Sequence, residues 1–570
     1  MHYLADRFRL NADAPTLSAA DQSLYFALAS IVDGVNSAFL LLTAALVFCM
    51  QAGFAMLTVG SVRNKNAKNA LVLNLCDACV GGVAYYVLGF GFAFAPINEA
   101  LLTYDNFDTE LPLSPIYKTK SNGFIAFQHF ALAHMQSPLT KDAFTYLSGL
   151  SVPSGTDNGT TLFLWWFQFT FCLTAASIVA GAICERVRVF AYIGFVSLMM
   201  GFVYPVISHA MWDANGWLNV FYNKVTDPTT GHITGSFGIY GSAGSIDFAG
   251  SGVVHITGGA GAFIGAVIIG PRIGRFDENG KIRPIPGHNI SLIVLGGLLL
   301  WFGWFGFNPG SQLGTLAYSD GGSFDGVVRG GFNGNGVPTV YSTAGQVALA
   351  AVNTLVLPAA AGITTLMITR FFDHCFDCAS MVNGFILGTV AITSPCSTIP
   401  TYSALCCGII GGFIWVFGDK LVQRLRIDDP LGAIAVHGFG GTWGIIIPGF
   451  FAKPDYVAMV YGPADGSGGV FYGYGKQLAA QLTEILYIWS FVCTVIGGYF
   501  LILKFLGLLR VSPEEEILGN DTSHHGGPAY PEDDVGLEED LATLRSYQKS
   551  QKVDQKESGS DSPAEEPVAV

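Results

Sequence analysis

Two histidines stand in the same local pattern 182 residues apart. The first is Asp247-x7-His255-x2-Gly258-Gly259, the second Asp429-x7-His437-x2-Gly440-Gly441. A neutral imidazole offers one N–H donor and one acceptor, so two of them in an apolar setting suit a small, neutral, polar molecule. The acids at the head of each pattern suit the positive N-terminal end of a helix. The capping reading holds for Asp429; Asp247 stays open between a cap and a role near substrate. The glycine pairs allow neighbouring backbones to approach closely.

The elements that must position these rings are membrane helices. Of 570 residues, 51% are hydrophobic and only 12% charged, against about 25% charged in soluble proteins. Mean hydropathy is +0.45. The formal charge of −14 is concentrated in residues 511–570, which hold fifteen acidic and four basic residues. The body is near neutral, and a basic nucleic-acid-binding role is excluded. Stretches free of Asp, Glu, Lys and Arg fall at 36–62, 78–98, 158–184, 189–212, 248–271, 284–319, 330–369, 379–418, 430–452 and 485–503. The 379–418 stretch is broken by Pro395 and Pro400 and reads as two helices with a tight turn. Eleven transmembrane helices are predicted in an all-α polytopic membrane protein.

Thirteen Lys and Arg lie in one set of short connections and seven in the longer alternate set. The basic set is cytoplasmic by the positive-inside rule. Residues 1–30 are then an extracellular N-terminal segment, 31–510 the eleven-helix domain with a long outer loop at 96–157, and 511–570 an acidic cytoplasmic tail. No signal peptide is read at the start. With this threading the fifth and tenth helices run in opposite directions, which makes a 5+5 inverted-topology repeat plus one extra helix. Eight residues at ~1.5 Å each would set each histidine ~12 Å from its acid, near the midplane. The outer loop ends in a glycosylation sequon at Asn158, close to the membrane.

Aromatic residues crowd the outer halves of the third and fourth helices: Trp165, Trp166, Phe167, Phe169, Phe171 and then Trp212. Most suit a lipid-facing belt. Their faces also attract a desolvated cation by ~2 kcal/mol or more. A cation held at the mouth, with its neutral form passing between imidazoles, points to a weak base. The eleven cysteines read as packing residues rather than a disulfide framework. No nucleophile, metal or cofactor constellation is found; His209, His288 and His374 lack partners at ligand spacing. The chain is not read as an enzyme.

At these residues the chain resembles the ammonium transporter family (Amt/Mep/Rh), most closely its plant-type high-affinity branch, over roughly residues 25–530. The segments that carry the resemblance are Gln51-Ala-Gly-Phe-Ala-Met56, Ala182-Ile-Cys-Glu-Arg186, Asp247 through His255, Gly270-Pro-Arg-Ile-Gly-Arg275, Trp301 through Ser311 and His437-Gly-Phe-Gly-Gly-Thr-Trp443. The resemblance implies that His255 and His437 are the twin pore histidines and that Phe171 and Phe307 form a stacked gate. It implies an outer recruitment site at Trp212, Ser311 and Phe171, with Gln168 in the vestibule and Asp247 as an essential acid nearby. It further implies a plasma-membrane homotrimer with one pore per subunit, carrying ammonium or ammonia, with methylammonium as a candidate analogue. Electrogenic transport, an electroneutral NH3 channel and an ammonium sensor or transceptor remain open readings. Plant-type members usually carry Glu at the position of Gly432. The fungal sensor-like branch replaces the first histidine, and Rh proteins generally lack the tryptophan at the position of Trp212. In the tail, 514–530 resembles the family's regulatory segment, in which Ser523, beside Asp521, stands where a kinase acts on plant-type members. Beyond Pro531 the composition is that of disorder.

Overall fold

The structure, a computed structural model, describes residues 19–94, 158–213, 237–319, 338–461, 466–530 and 540–549, with short pieces between them. Most of the long outer loop and residues 550–570 lie outside the described residues.

Ten helices are long and apolar enough to cross a membrane among the described residues, and Cys378–Thr393 adds a shorter apolar one. We label them in chain order. They are α1 (Ala19–Ser61), α2 (Asn64–Ala93), α3 (Asn158–Ile183), α4 (Val189–Trp212), α5 (Ser251–Ile269), α6 (Ile290–Gly310), α7 (Ala344–Asp373), α8 (Cys378–Thr393), α9 (Thr401–Arg424), α10 (Ile434–Phe451) and α11 (Gly475–Phe505). Helices are the expected solution because a lipid interior offers no partners for free backbone N–H and C=O groups. Short antiparallel strands follow α4 and α6: β1 (Val225–Thr226) pairs β2 (Ile233–Thr234), and β3 (Leu316–Ser319), β4 (Gly331–Phe332) and β5 (Pro338–Ser342) form a sheet in the order β3-β5-β4.

Two helix boundaries correct the charge-free count. The second helix was expected at 78–98 and occupies Asn64–Ala93, because Asp77 lies inside it, fully buried and accepting a hydrogen bond from Tyr192 Oη at 2.6 Å. The last was expected at 485–503 and occupies Gly475–Phe505, because buried Glu484 lies inside it. A partnered carboxyl inside a bundle does not end a span. The break at Pro395 and Pro400 falls as expected: α8 and α9 are joined by residues 394–400, a buried turn whose Cys396 and Ile399 carbonyls accept from Asn353 Nδ2 at 2.8 and 3.0 Å.

The main core is one continuous apolar cluster running through the bundle, and a small second cluster gathers Val220, Phe237, Ile246, Ala452 and Val457. The helices at its centre are small-faced. A Cβ added at Gly259 of α5 would press on the backbone of His437 and Gly438 of α10. That glycine is what lets the two histidine-bearing helices cross in contact.

Candidate functional site

Both histidine-bearing helices open with a π turn, Ser251–Ile256 in α5 and Ile434–Phe439 in α10. Each turn is held by the acid that precedes it. Asp247 Oδ1 accepts from Gly250 N at 3.1 Å, and its Oδ2 accepts from Gly252 N and Val253 N at 3.0 and 2.9 Å. Asp429 Oδ1 accepts from Gly432 N at 3.0 Å and Oδ2 from Ile434 N at 2.7 Å. Both acids therefore cap the free N–H groups of their helix starts. Gly432 makes its bond at φ +75°, a left-handed backbone that favours glycine, with Trp415 packed where a Cβ would stand.

The expected uniform helical rise from acid to histidine does not apply. Residues 243–250 are non-helical and buried, so the chain enters the bundle as an extended segment and His255 sits in the first turn of α5. Such backbone is tolerated at depth because protein surrounds it. Its hydrogen bonds go to the end of α8: Phe248 N and Ala249 N donate to Ser394 O and Thr393 O, each at 3.2 Å, and Ser251 Oγ donates to Val390 O at 2.8 Å.

These starts bring the two imidazoles together. His255 Nδ1 and His437 Nδ1 are 3.2 Å apart, with ring centroids 5.3 Å apart and 24° between planes. His255 is fully buried and His437 is 5% exposed. Two nitrogens at that distance share one proton, so one ring is protonated at Nδ1 and the other presents a bare Nδ1. The rings thus take different tautomers or different charges. His255 Nε2 is buried with no hydrogen-bond partner among the described residues.

Aromatic rings continue the line away from His255. Its ring stacks 5.6 Å from Phe307 and 5.6 Å from Trp304. Phe307 stacks on Phe171 with centroids 3.9 Å apart, and Phe171 meets Trp212 edge-on at 6.0 Å. Trp212 Nε1 donates to the Asp247 backbone carbonyl at 2.8 Å, which ties the aromatic end of the line to the cap of α5. Ser311 is half-buried and its Oγ donates to Phe307 O at 2.9 Å, leaving the oxygen's lone pairs as acceptors. Gln168 is buried one turn before Phe171, with its Oε1 unpartnered among the described residues. The arrangement is a continuous aromatic and imidazole column whose hydrogen-bonding capacity is concentrated at its two ends.

The other singled-out residues lie elsewhere. Asn158 opens α3, and its side chain is outside the described residues. Asp521 and Ser523 sit in a short helix, Asn520–His524, docked against the start of α2. Asp521 is fully buried and accepts from Lys68 N at 3.0 Å and Asn69 N at 2.9 Å, near the start of α2. Ser523 Oγ donates to Gly519 O at 2.9 Å. Residues 540–549, read from composition as disordered, are helical, and Asp540 pairs with Lys65 at 2.6 Å.

Sequence reasoning missed a buried charge cluster beneath the docked tail. Glu185 pairs with Arg63 at 2.5 Å and Arg272 at 2.6 Å, while Asp428 pairs with Arg272 at 2.8 Å and Arg275 at 3.3 Å. Burial alone would raise both carboxyls; the Arg63 and Arg272 charges hold Glu185 below its ordinary value. Hydrogen bonds from Arg272 and the nearby Arg186 charge bring Asp428 down to about 2. The signal available beforehand was the mixture of Arg and acid in otherwise apolar flanks.

The family model described as Ammonium Transporter Family matches residues 38–530. Ammonium transporter 1 member 3 of Solanum lycopersicum is 38% identical over 511 residues, 88% of this chain and 94% of its own. Ammonium transporter 1 member 1 of Oryza sativa subsp. japonica is 38% identical over 516 residues, 90% of each chain. Among solved structures, a protein titled Sensor Amt Protein superposes with a TM-score of 0.65 at 26% identity, covering 87% of this chain and 99% of that one. Candida albicans Mep2 superposes with a TM-score of 0.62 at 25% identity, covering 84% and 87%. On the breadth of the match and the identity to these relatives, the chain belongs to the ammonium transporter family.

Proposed function

We propose that this chain is an ammonium transporter that takes NH4+ at an outer vestibule, removes its proton and passes NH3 through the imidazole pair. The observation that carries the reading is the column from Trp212 through Phe171 and Phe307 to the shared proton of His255 and His437. Cation–π attraction to Trp212 and Phe171, with Ser311 Oγ as an acceptor, recruits the ion. Moving the full charge through this column costs many kcal/mol of lost hydration, and giving up the proton removes most of that cost. NH3 then needs only the one or two hydrogen bonds that the imidazoles offer. K+ has no proton to leave behind and is stopped where the rings close.

The proton follows by the imidazole pair, which makes transport electrogenic. A bridge in which one Nδ1 donates and the other accepts supports this route, since a proton arriving on one ring releases another from its partner. The protein acts as a plasma-membrane homotrimer with its N-terminus outside and its tail in the cytoplasm, and a kinase acting on Ser523 controls the docked tail. Currents from the purified protein on a supported membrane test the reading. An ammonium gradient gives a current and an equal K+ gradient gives none. Ammonia flux without current sinks the electrogenic step, and equal currents for the two ions sink the mechanism.

A further inference from the structure

The last helix carries a polar stripe that the proposed pathway does not use. Gln477, Gln481 and Glu484 are all buried on α11, and their spacing of four and three residues puts them on one face. That face packs on the segment leading to Asp247. Gln477 Nε2 donates to Gly244 O at 2.8 Å. Gln481 Nε2 donates to Ile246 O and Ile445 O at 2.8 and 2.9 Å, and its Oε1 accepts from Ile246 N at 2.7 Å. The backbone N–H fixes which end of the Gln481 amide is oxygen.

Counting protons at Glu484 then decides its state. Ser245 Oγ lies 2.9 Å from Gln481 Oε1 and in short contact with Glu484 Oε2. A hydroxyl has one proton to give. Gln481 Oε1, which also accepts from Ile246 N and from Gln477 Nε2 at 3.0 Å, has none, and a bare O···O contact at 2.9 Å is repulsive, so the Ser245 proton goes there and the contact with Glu484 needs a proton on the carboxyl. The second oxygen, Oε1, has no donor among the described residues and faces the Asp247 carboxyl. Two carboxylates facing each other in a buried site do not both ionise. Asp247, held by three backbone N–H groups, is the better home for the charge. Among the described residues no Lys or Arg pairs with either acid; the other titratable groups facing the pair are the hydroxyls of Tyr204 and Tyr461 and the thiol of Cys396.

We propose that Glu484 is a resident carboxylic acid whose proton stands on Oε2 toward Ser245, so that the Asp247–Glu484 pair carries one proton and a single negative charge behind the mouth and beside the π turn of His255. Glu484 is a positioning residue: it acts through Asp247, whose carbonyl holds Trp212, and not on the permeating molecule. The proposal rests on the ammonium reading in one respect, that a cation at Trp212 feels this charge. Loss of the proton at alkaline pH puts a second charge beside the first and removes the donor to Ser245, which loosens the segment that carries both the cap and the Trp212 acceptor.

Infrared difference spectra of the purified full-length protein against Glu484→Gln test the proton without any transport. At neutral pH the wild type has the C=O stretch of an un-ionised carboxylic acid that Glu484→Gln lacks, and Ser245→Ala moves that band. Currents at fixed NH4+ concentration and rising pH test the consequence. The wild-type current falls by about five-fold or more on the alkaline side, while Glu484→Gln, which stays neutral, keeps its current within about two-fold. A spectrum without the band, or a band that Ser245→Ala leaves in place, overturns the proton assignment. An alkaline fall equal in the two proteins overturns the control of the mouth. Where Glu484→Gln fails to fold, the Ser245→Ala band shift and its alkaline limb, moved relative to wild type, decide the same two points. A wild type with no ammonium current at any pH sinks the ammonium reading instead, and the infrared arm still stands.

Discussion

At the residue scale, the imidazole pair is joined by a single bridging proton. His255 and His437 bond to each other at Nδ1 inside a buried column, so truncating either ring leaves the other with an unmet polar atom. Such a loss costs about 1–3 kcal/mol, or about five- to 160-fold in rate where the barrier feels it. We expect His255→Ala and His437→Ala each to lose flux, or discrimination against K+, by that order. Growth of transport-deficient yeast on low ammonium, matched by currents with K+ present, checks it; growth and selectivity equal to wild type would rule out the proton-bridge mechanism. Trp212 stands earlier on the proposed path, and its indole faces Phe171 and donates to Asp247 O. Replacing it with Leu removes a cation–π attraction of ~2 kcal/mol, so the half-saturating ammonium concentration rises by about tenfold or more. The maximal current changes less, because the imidazole pair is untouched. A Trp212→Leu variant with an unchanged half-saturating concentration counts against recruitment there.

At the element scale, the sequence and the structure agree where apolar length decides and part where local geometry decides. The long uncharged runs made the helices legible, and Pro395 and Pro400 marked the turn between α8 and α9. The repeated Asp-x7-His pattern made the histidine pair legible. Asp77 and Glu484 hid the true ends of α2 and α11, because the count treated any carboxyl as a boundary. The π turns were not legible: a π turn differs from an α turn by one residue of register, which no composition reports. Nor was the extended approach of residues 243–250, since its small and apolar residues resemble the helix that follows. The glycine pairs were read correctly as sites of close approach, and Gly259 makes that testable. A side chain there collides with the His437–Gly438 backbone rather than with a flexible neighbour. We expect Gly259→Val to destabilise the protein by about 1–3 kcal/mol and to separate the imidazoles. A lower thermal midpoint together with lost current is the expected result; a wild-type midpoint with full current would show that the crossing can relax.

At the scale of the whole molecule, the tail is built into the ends of the helices that carry the imidazoles. Asn520 Nδ2 donates to Glu185 O at 2.7 Å, and Glu516 accepts from Ile273 N at 2.7 Å. Glu185 and Asp428 meet on Arg272, just past the end of α5, and Asp428 adjoins Asp429, the cap of α10. The folded-state value of Asp428 is about 2, below its ordinary one. Its contribution to stability is therefore complete above the unfolded value of ~3.9 and is lost as pH falls toward the folded value. Glu185 is lowered too and adds in the same direction. We expect acid to release the tail before it unfolds the bundle, read as faster proteolysis after residue 510 on lowering the pH from ~4 toward ~2. Asp428→Asn should remove much of that dependence, and an unchanged profile would assign it to other acids. The same docking gives the proposed modification of Ser523 a route to the column. Asp521 already occupies the Lys68 and Asn69 N–H groups, and Ser523 lies two residues on, its hydroxyl turned back to Gly519 O. A phosphate there brings a charge of about −1.5 to −2 beside a buried carboxylate whose donors are taken, so repulsion favours release. Release withdraws Asn520 and Glu516 from Glu185 and Ile273, and with them the support beneath the end of α5 and the start of α10. Ser523→Asp should therefore cut the ammonium current several-fold at equal surface abundance, while Ser523→Ala, which loses only one local hydrogen bond, keeps it. Full current in Ser523→Asp would mean that the docked tail does not govern the column.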